Sequence, residues 1–193
     1  MQEQSRVVVL NGASSAGKTT LATAFRDQRA TVGDFWLLIG IDDFIAKLPP
    51  EWHGAGSQQG AFAIDGIRFE KTADGTMVRV GRVGRELLRA YQAGVAGAAR
   101  VGLNVIVDDV VIDKTSWDDW TVALAGLDVV WVGVRCSGRV AEERNRLRGD
   151  RFEGLARTQT VTAHRYARYD FEIDTTTRSP VEALSELTTK LGY

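Results

Sequence analysis

Val7-Val8-Val9-Leu10-Asn11-Gly12-Ala13-Ser14-Ser15-Ala16-Gly17-Lys18-Thr19-Thr20 decides how the chain is read. A β-branched apolar run leads into G-x-x-x-x-G-K-T, and Leu21-Ala22-Thr23-Ala24-Phe25 continues as a helix. That order of strand, glycine-bounded loop and helix is the context in which a Walker A pattern carries meaning. Gly12 and Gly17 let the backbone turn tightly and approach a ligand without Cβ clash. The amides from Ala13 and Ser14 through Ser15, Ala16 and Gly17 to Thr20, with the positive end of the helix dipole, form a nest for phosphate oxygens. Lys18 is expected to reach the β- and γ-phosphates, and the Thr19 hydroxyl to sit on Mg²⁺. A plain Gly/Ser turn between a core strand and a core helix would need neither side chain.

Outward from this stretch, four more apolar runs follow at Phe35–Ile41, Asn104–Val107, Val129–Val134 and Phe171–Asp174, with helical patterns between them. Near-continuous apolar runs suit strands covered on both faces, so the expected fold is α/β with a parallel five-stranded sheet and right-handed crossovers. The anticipated strand order is 2-3-1-4-5, that of a P-loop kinase, in one domain over residues 1–193. Residues 49–81 read as an inserted lobe: a Gly/Gln-rich loop, then two alternating segments joined through Asp74-Gly75, a hairpin signal. Leu87, Leu88, Tyr91, Val95 and Ala98 form a helical stripe over 84–101. Thr115 or Ser116 is the expected cap of a short helix over 117–124, and a further helix is expected over 152–166. Ser179-Pro180 opens the C-terminal helix.

The chain has 193 residues, 44% of them hydrophobic, and a net charge of −1, which gives no electrostatic reason to expect nucleic acid or an anionic membrane as partner. Its single cysteine, Cys136, excludes an intramolecular disulfide and suits a reducing compartment. With no apolar run of about 20 residues and no apolar leader in Met1-Gln2-Glu3-Gln4-Ser5-Arg6, the expectation is a cytoplasmic protein, with homo-oligomerisation left open.

Asn104-Val105-Ile106-Val107-Asp108-Asp109 has the shape of a Walker B strand, so Asp108 is the candidate second Mg²⁺ ligand, with Asp109 beside it. Asp42 follows the second strand, near the crevice where ligands bind in a doubly wound sheet. An alcohol becomes a good nucleophile once a carboxylate accepts its proton, so Asp42 is the candidate base of a transferase. As an alternative or additional role, Asp42 or Asp43 can cap the helix that starts at Phe44. Arg139, Arg144, Arg146, Arg148 and Arg151 crowd the segment after the fourth strand. Arg148 and Arg151 are assigned to a lid over 138–160 that meets charge on a transferring phosphoryl group, while Arg144 and Arg146 fit a solvated basic face equally well. Asp43, Phe44, Trp52, Phe62 and Asp109 are candidates for substrate contact, and Thr175–Arg178 for the adenine side. His53 and His164 are too isolated for a metal site, and Trp117, Trp120 and Trp131 read as packing.

Leu10-Asn11-Gly12-Ala13-Ser14-Ser15-Ala16-Gly17-Lys18, Gly40-Ile41-Asp42, Val107-Asp108-Asp109-Val110, Trp131-Val132-Gly133-Val134-Arg135-Cys136 and Arg148-Gly149-Asp150-Arg151 occur together in this order. In this the chain resembles the chloramphenicol phosphotransferase family from about Val7 to Thr177. The resemblance implies ATP-dependent transfer of the γ-phosphate to an alcohol of a small molecule, in that family a chloramphenicol hydroxyl, as resistance or self-protection. It carries the catalytic base onto Asp42, the phosphate-binding lysine onto Lys18 and the lid arginines onto Arg148 and Arg151. The match is poor over 49–81 and at Asp43, where substrate would be selected. Kinases acting on a sugar nucleotide or another natural product, and a nucleotide-binding regulatory module without transfer, remain as alternatives.

Overall fold

A computed structural model describes residues 5–55, 58–148 and 152–193. Strand β1 (Arg6–Gly12) lies at the centre of a parallel sheet with β6 (Asn104–Asp109) on one side and β7 (Asp128–Arg135) on the other. Strands β2 (Trp36–Gly40) and β8 (Phe171–Asp174) complete the order β2-β6-β1-β7-β8. Counting only these five strands, that is the anticipated 2-3-1-4-5.

The alternation within β1 explains the layers. Val8 and Leu10 face helix α1 (Lys18–Ala30) and helix α7 (Pro180–Leu191), meeting Ala22, Phe25, Ala183 and Leu187. Val7 and Val9 face helix α3 (Arg82–Arg100) and helix α4 (Lys114–Ala123), meeting Tyr91, Val95 and Trp120. All four β1 side chains are fully buried, so an apolar run without polar alternation is what a sheet covered on both faces demands.

Several boundaries differ from the expectations. Phe35 is exposed and Ile41 already belongs to helix α2 (Ile41–Ile45), so β2 is shorter at both ends. Gly40, not Asp42 or Asp43, occupies the N-cap of α2, and both acids sit in its first turn, where they favour the helix dipole instead. Asp113 caps α4 by accepting from Ser116 N at 2.8 Å, in place of the expected Thr115 or Ser116. Asp113 also holds Arg85 of α3 through two guanidinium bonds, so it serves two elements at once. Helix α6 (Leu155–Thr162) is shorter than the 152–166 pattern because Gly154 enters it in a left-handed conformation and the Ala163 carbonyl is taken by Asn11 Nδ2. The C-terminal helix matches its signal: Ser179 and Glu182 form a reciprocal capping box with Pro180 in the first turn.

The inserted lobe contains the expected hairpin, β4 (Ile67–Thr72) antiparallel to β5 (Gly75–Val80). Its Gly/Gln-rich loop also gives a short strand β3 (His53–Ala55) that pairs parallel with β4, where only loop was expected. Helix α5 (Gly138–Arg148) and α6 make up the lid region, and the hairpin tip is fastened to their junction. Thr76 Oγ1 donates to Glu153 O at 2.7 Å, Arg157 donates to Asp74 O at 3.0 Å, and the Phe69 and Phe152 rings lie 4.3 Å apart.

The first glycine of the phosphate loop is required by the neighbouring strand. A Cβ on Gly12 would stand 2.3 Å from the Val134 carbonyl oxygen of β7, which is backbone within the sheet. Gly12→Ala is expected to lower stability by about 1–3 kcal/mol, the usual cost of forcing extra volume into a packed site, read as a lower urea midpoint at unchanged slope. Wild-type stability in that variant would mean that β7 gives way freely.

Candidate active site

The loop between β1 and α1 bends into a nest. Ser15 has φ 60° and Gly17 φ 92°, and Ser15 is the one non-glycine with positive φ among the described residues. A left-handed L-residue costs about 1–2 kcal/mol, and such strain collects where a loop must aim its amides. A Cβ on Gly17 would meet no protein atom, so that glycine answers to its φ and not to crowding.

Lys18 is buried and donates through Nζ to Ala13 O at 2.9 Å, with Asp108 Oδ1 3.5 Å away. Thr19 Oγ1 donates to the other Asp108 oxygen. Gly40 and Asp108 are register partners between β2 and β6, so Asp42, two residues after Gly40, begins beside the Walker B carboxylate. Ser14 behaves differently from expectation: its amide donates to Gln159 Oε1 of α6 at 2.8 Å.

These groups share one cavity of 1010 Å³ at the carboxyl ends of the strands, whose wall includes Ser15, Lys18, Thr19, Asp42, Asp108 and Arg148. Thr19 and Asp108 offer two adjacent hard oxygen donors, which suits Mg²⁺ completed by phosphate and water oxygens. Among the described residues no group of three or more His, Cys, Asp or Glu side chains could hold a metal by itself. Arg144 also borders the cavity, anchored by donation to Thr175 O at 2.9 Å, and Arg178 lies nearby. Arg139 and Arg146 line a separate hollow on α5. Arg151 lies outside the described residues, as do Gly149 and Asp150.

Away from the phosphate loop the cavity is apolar, lined by Ile67 and Phe69 of β4, Val78 and Val80 of β5, Leu88 of α3 and Ile112. The hairpin register pairs Ile67 with Val80 and Phe69 with Val78, so one face of the ribbon supplies four of these walls. Their i, i+2 spacing was the available signal for this surface.

The candidate substrate residues fall elsewhere. Trp52 and Phe62 stack on each other at 5.2 Å, Phe44 packs against Tyr91 at 5.1 Å, and neither these three nor Asp43 borders the cavity. Asp109 is buried and accepts from Trp120 Nε1 at 2.6 Å; burial pushes its carboxyl up to about 6 against that bond. Tyr91 lies between these groups, donating to Asp108 O at 3.4 Å. Burial first, and the nearby carboxylates of Asp109, Asp108, Asp42 and Asp43 next, raise its phenol well above the ordinary range. Cys136 is buried behind Arg144, with burial raising its thiol.

Residues 5–192 match the chloramphenicol phosphotransferase-like protein family. The chain belongs to that family. A Mycobacterium tuberculosis protein named "Putative O-phosphotransferase", matched from two strains, is 35% identical over 190 residues, covering 94% of this chain and 80% of that protein. Among solved structures, the M. tuberculosis APS kinase CysC in complex with AMPPNP and APS aligns with TM-score 0.68 at 17% identity, over 98% of this chain and 99% of that one. A Sinorhizobium meliloti gluconokinase aligns with TM-score 0.57 at 18% identity, over 99% and 97% of the two chains. These structures share the P-loop kinase fold with this phosphotransferase-family chain.

One cluster that sequence reading missed has a pH signature. Asn11 Nδ2 donates to Tyr169 Oη at 2.6 Å, and Tyr169 Oη lies 2.6 Å from His164 Nδ1. Asn11 Nδ2 can only donate, so Tyr169 Oη accepts from it; in the Nε2–H tautomer of a neutral imidazole the phenol proton goes to Nδ1, and in the other tautomer Nδ1–H donates to the phenol oxygen. Burial, then the Arg135 charge, lowers His164 from 6.5 to about 4, while burial pushes Tyr169 up to about 12. Between those two His164 values the unfolded chain binds the extra proton, so stability falls as pH drops from 6.5 toward 4. Asp109 works in the opposite sense, because its folded carboxyl keeps a proton up to about 6. His164→Asn retains an acceptor where Nδ1 stands but cannot titrate. Its urea midpoint relative to wild type should therefore rise on acidification through that window, and a constant difference between the two proteins would refute the assignment.

Proposed function

We propose that this protein transfers the γ-phosphate of ATP to the hydroxyl of an uncharged, largely apolar small molecule. The observation that supports this most directly is the shared cavity. An anion nest with Lys18 opens onto a hydrocarbon-walled chamber, and Asp42 borders the same space. Desolvating a phosphate or sulfate in that chamber would be costly without paired cations. The basic side chains lining the cavity, Lys18, Arg144, Arg148 and Arg178, belong to α1, α5 and the segment before α7, away from the hairpin wall. A sugar nucleotide acceptor is therefore a poorer fit than an aromatic or aliphatic alcohol. Chloramphenicol-like antibiotics fall in the favoured class and are the first acceptors to try, in a resistance or self-protection role.

In this reading the loop amides and Lys18 hold the triphosphate, and Thr19 with Asp108 hold Mg²⁺. The metal supplies neutralisation of charge on the phosphate oxygens. Asp42 accepts the proton of the acceptor hydroxyl as its oxygen bonds to the γ-phosphorus, and the bond from that phosphorus to the bridging oxygen breaks to release ADP. Arg148 meets charge on the transferring group, and Arg151 is assigned the same task. An ATP-consuming reaction belongs in the cytoplasm, and no helix among the described residues is long and apolar enough to cross a membrane.

The test uses purified protein, radiolabelled ATP and a panel of apolar alcohols, chloramphenicol included, beside sugar nucleotides. Apolar alcohols should be labelled and sugar nucleotides not. Asp42→Asn should keep nucleotide affinity while transfer falls by about 100-fold or more, the range of general-base catalysis. Transfer by Asp42→Asn at the wild-type rate would remove the base. ATP hydrolysis unstimulated by any hydroxyl compound would favour a regulatory module.

A further inference from the structure

The lid region contributes a side chain to the phosphate nest that the sequence motifs do not include. Gln159 lies in the middle of α6, is only 7% exposed, and forms part of the wall of the cavity it shares with Lys18, Thr19 and Asp108. Its Oε1 accepts from Ser14 N at 2.8 Å. A backbone amide can only donate, so the atom facing Ser14 is the oxygen, and the carboxamide orientation follows from chemistry. Its Nε2 has no protein partner among the described residues. A buried NH₂ group with both hydrogens unmet costs free energy unless something else accepts them.

The placement of Gln159 is held from both ends of its helix. Glu142 Oε1 accepts from Gly154 N at 2.8 Å, and Arg157 Nη2 donates to Asp74 O at 3.0 Å, near the helix start. Asn11 Nδ2 donates to Ala163 O at 2.8 Å at the far end. A donor fixed in this way needs no reorganisation when charge develops nearby, which is where such groups contribute most.

We infer that Gln159 is a catalytic residue whose Nε2 donates to an oxygen of the γ-phosphoryl group during its transfer. The inference rests on the reading of the loop as a nucleoside triphosphate site. Ser14 N is engaged by the amide oxygen, and the same side chain presents two N–H donors in its stead. Being neutral, it can follow the phosphoryl group as charge redistributes without binding the product more tightly, as another cation would.

Acceptor-independent readouts test this: the rate of ATP hydrolysis without alcohol, and affinities for ADP alone and for ADP with aluminium fluoride, which imitates the transferring phosphoryl. Gln159→Glu keeps an acceptor for Ser14 N but removes the donor, and Gln159→Met removes both. Both variants are expected to hydrolyse ATP about 100-fold more slowly, the usual effect of deleting one transition-state donor. In Gln159→Met, which adds no charge to the nest, affinity for ADP with aluminium fluoride should fall by a similar factor, while ADP affinity stays within about twofold. Wild-type hydrolysis in both variants, or in Gln159→Met an equal loss of affinity for ADP with and without aluminium fluoride, would overturn the role of Gln159 and leave the nucleotide site standing. Wild-type protein that binds neither ADP nor ATP would overturn the nucleotide site itself, and the Gln159 role with it.

Discussion

A fully buried side-chain amide, that of Asn11, ties together the three parts from which the site is assembled. Its Oδ1 accepts from Val111 N at 2.8 Å, holding the segment after β6 that leads to the apolar chamber. Both hydrogens of its Nδ2 are engaged, one by Ala163 O at the end of the lid helix and one by Tyr169 Oη before β8. Asn11 immediately precedes Gly12, so the strand that carries the phosphate loop also fixes the segment after β6 and the end of α6. In a dry interior an amide with every group paired is rigid, whereas one lost partner leaves a costly orphan.

The electrostatics follow from that placement. Lys18 is a buried ammonium with a carbonyl and the Asp108 carboxylate for neighbours, and Asp108 in turn takes the Thr19 hydroxyl. One residue further on, Asp109 points to the opposite side of the sheet, where Trp120 Nε1 meets it among aromatic rings. Adjacent carboxylates thus have different environments for the reason that strand side chains alternate: one borders the cavity, the other anchors the packing of α4. Tyr91 lies on the Asp109 side, contacting Phe44 of the Asp42 helix, Trp120 and the Asp108 backbone.

The hairpin and lid are joined where two glycines meet. A Cβ on Gly75 would stand 2.7 Å from Gly154 O, and both residues have positive φ, so the backbones touch as no other residue pair would allow. The hairpin wall of the chamber and the helix bearing Gln159 are therefore in direct contact, so the apolar chamber and the phosphate loop are joined through packed backbone.

What the sequence by itself determined was local and periodic. The apolar runs, the Walker A spacing, the Asp74-Gly75 turn and the Ser179-Pro180 helix start are each decided by neighbours a few residues away and could be read directly, whereas strand order followed from the P-loop kinase pattern and the caps of α2 and α4 fell on Gly40 and Asp113 instead of the residues expected. Asp42 and Asp108 were legible because strand ends in a parallel sheet face one edge. Tertiary structure alone decided which aromatic residues line the chamber, because Trp52 and Phe62 satisfy each other while Ile67, Phe69, Val78 and Val80 turn inward through a register set by pairing. It alone brought Gln159 to Ser14 across 145 residues and Asn11 to Ala163 across 152. Hydrogen bonds of that span leave no periodicity in the chain, since a carboxamide in a helix reads the same whether it meets solvent or a phosphate loop.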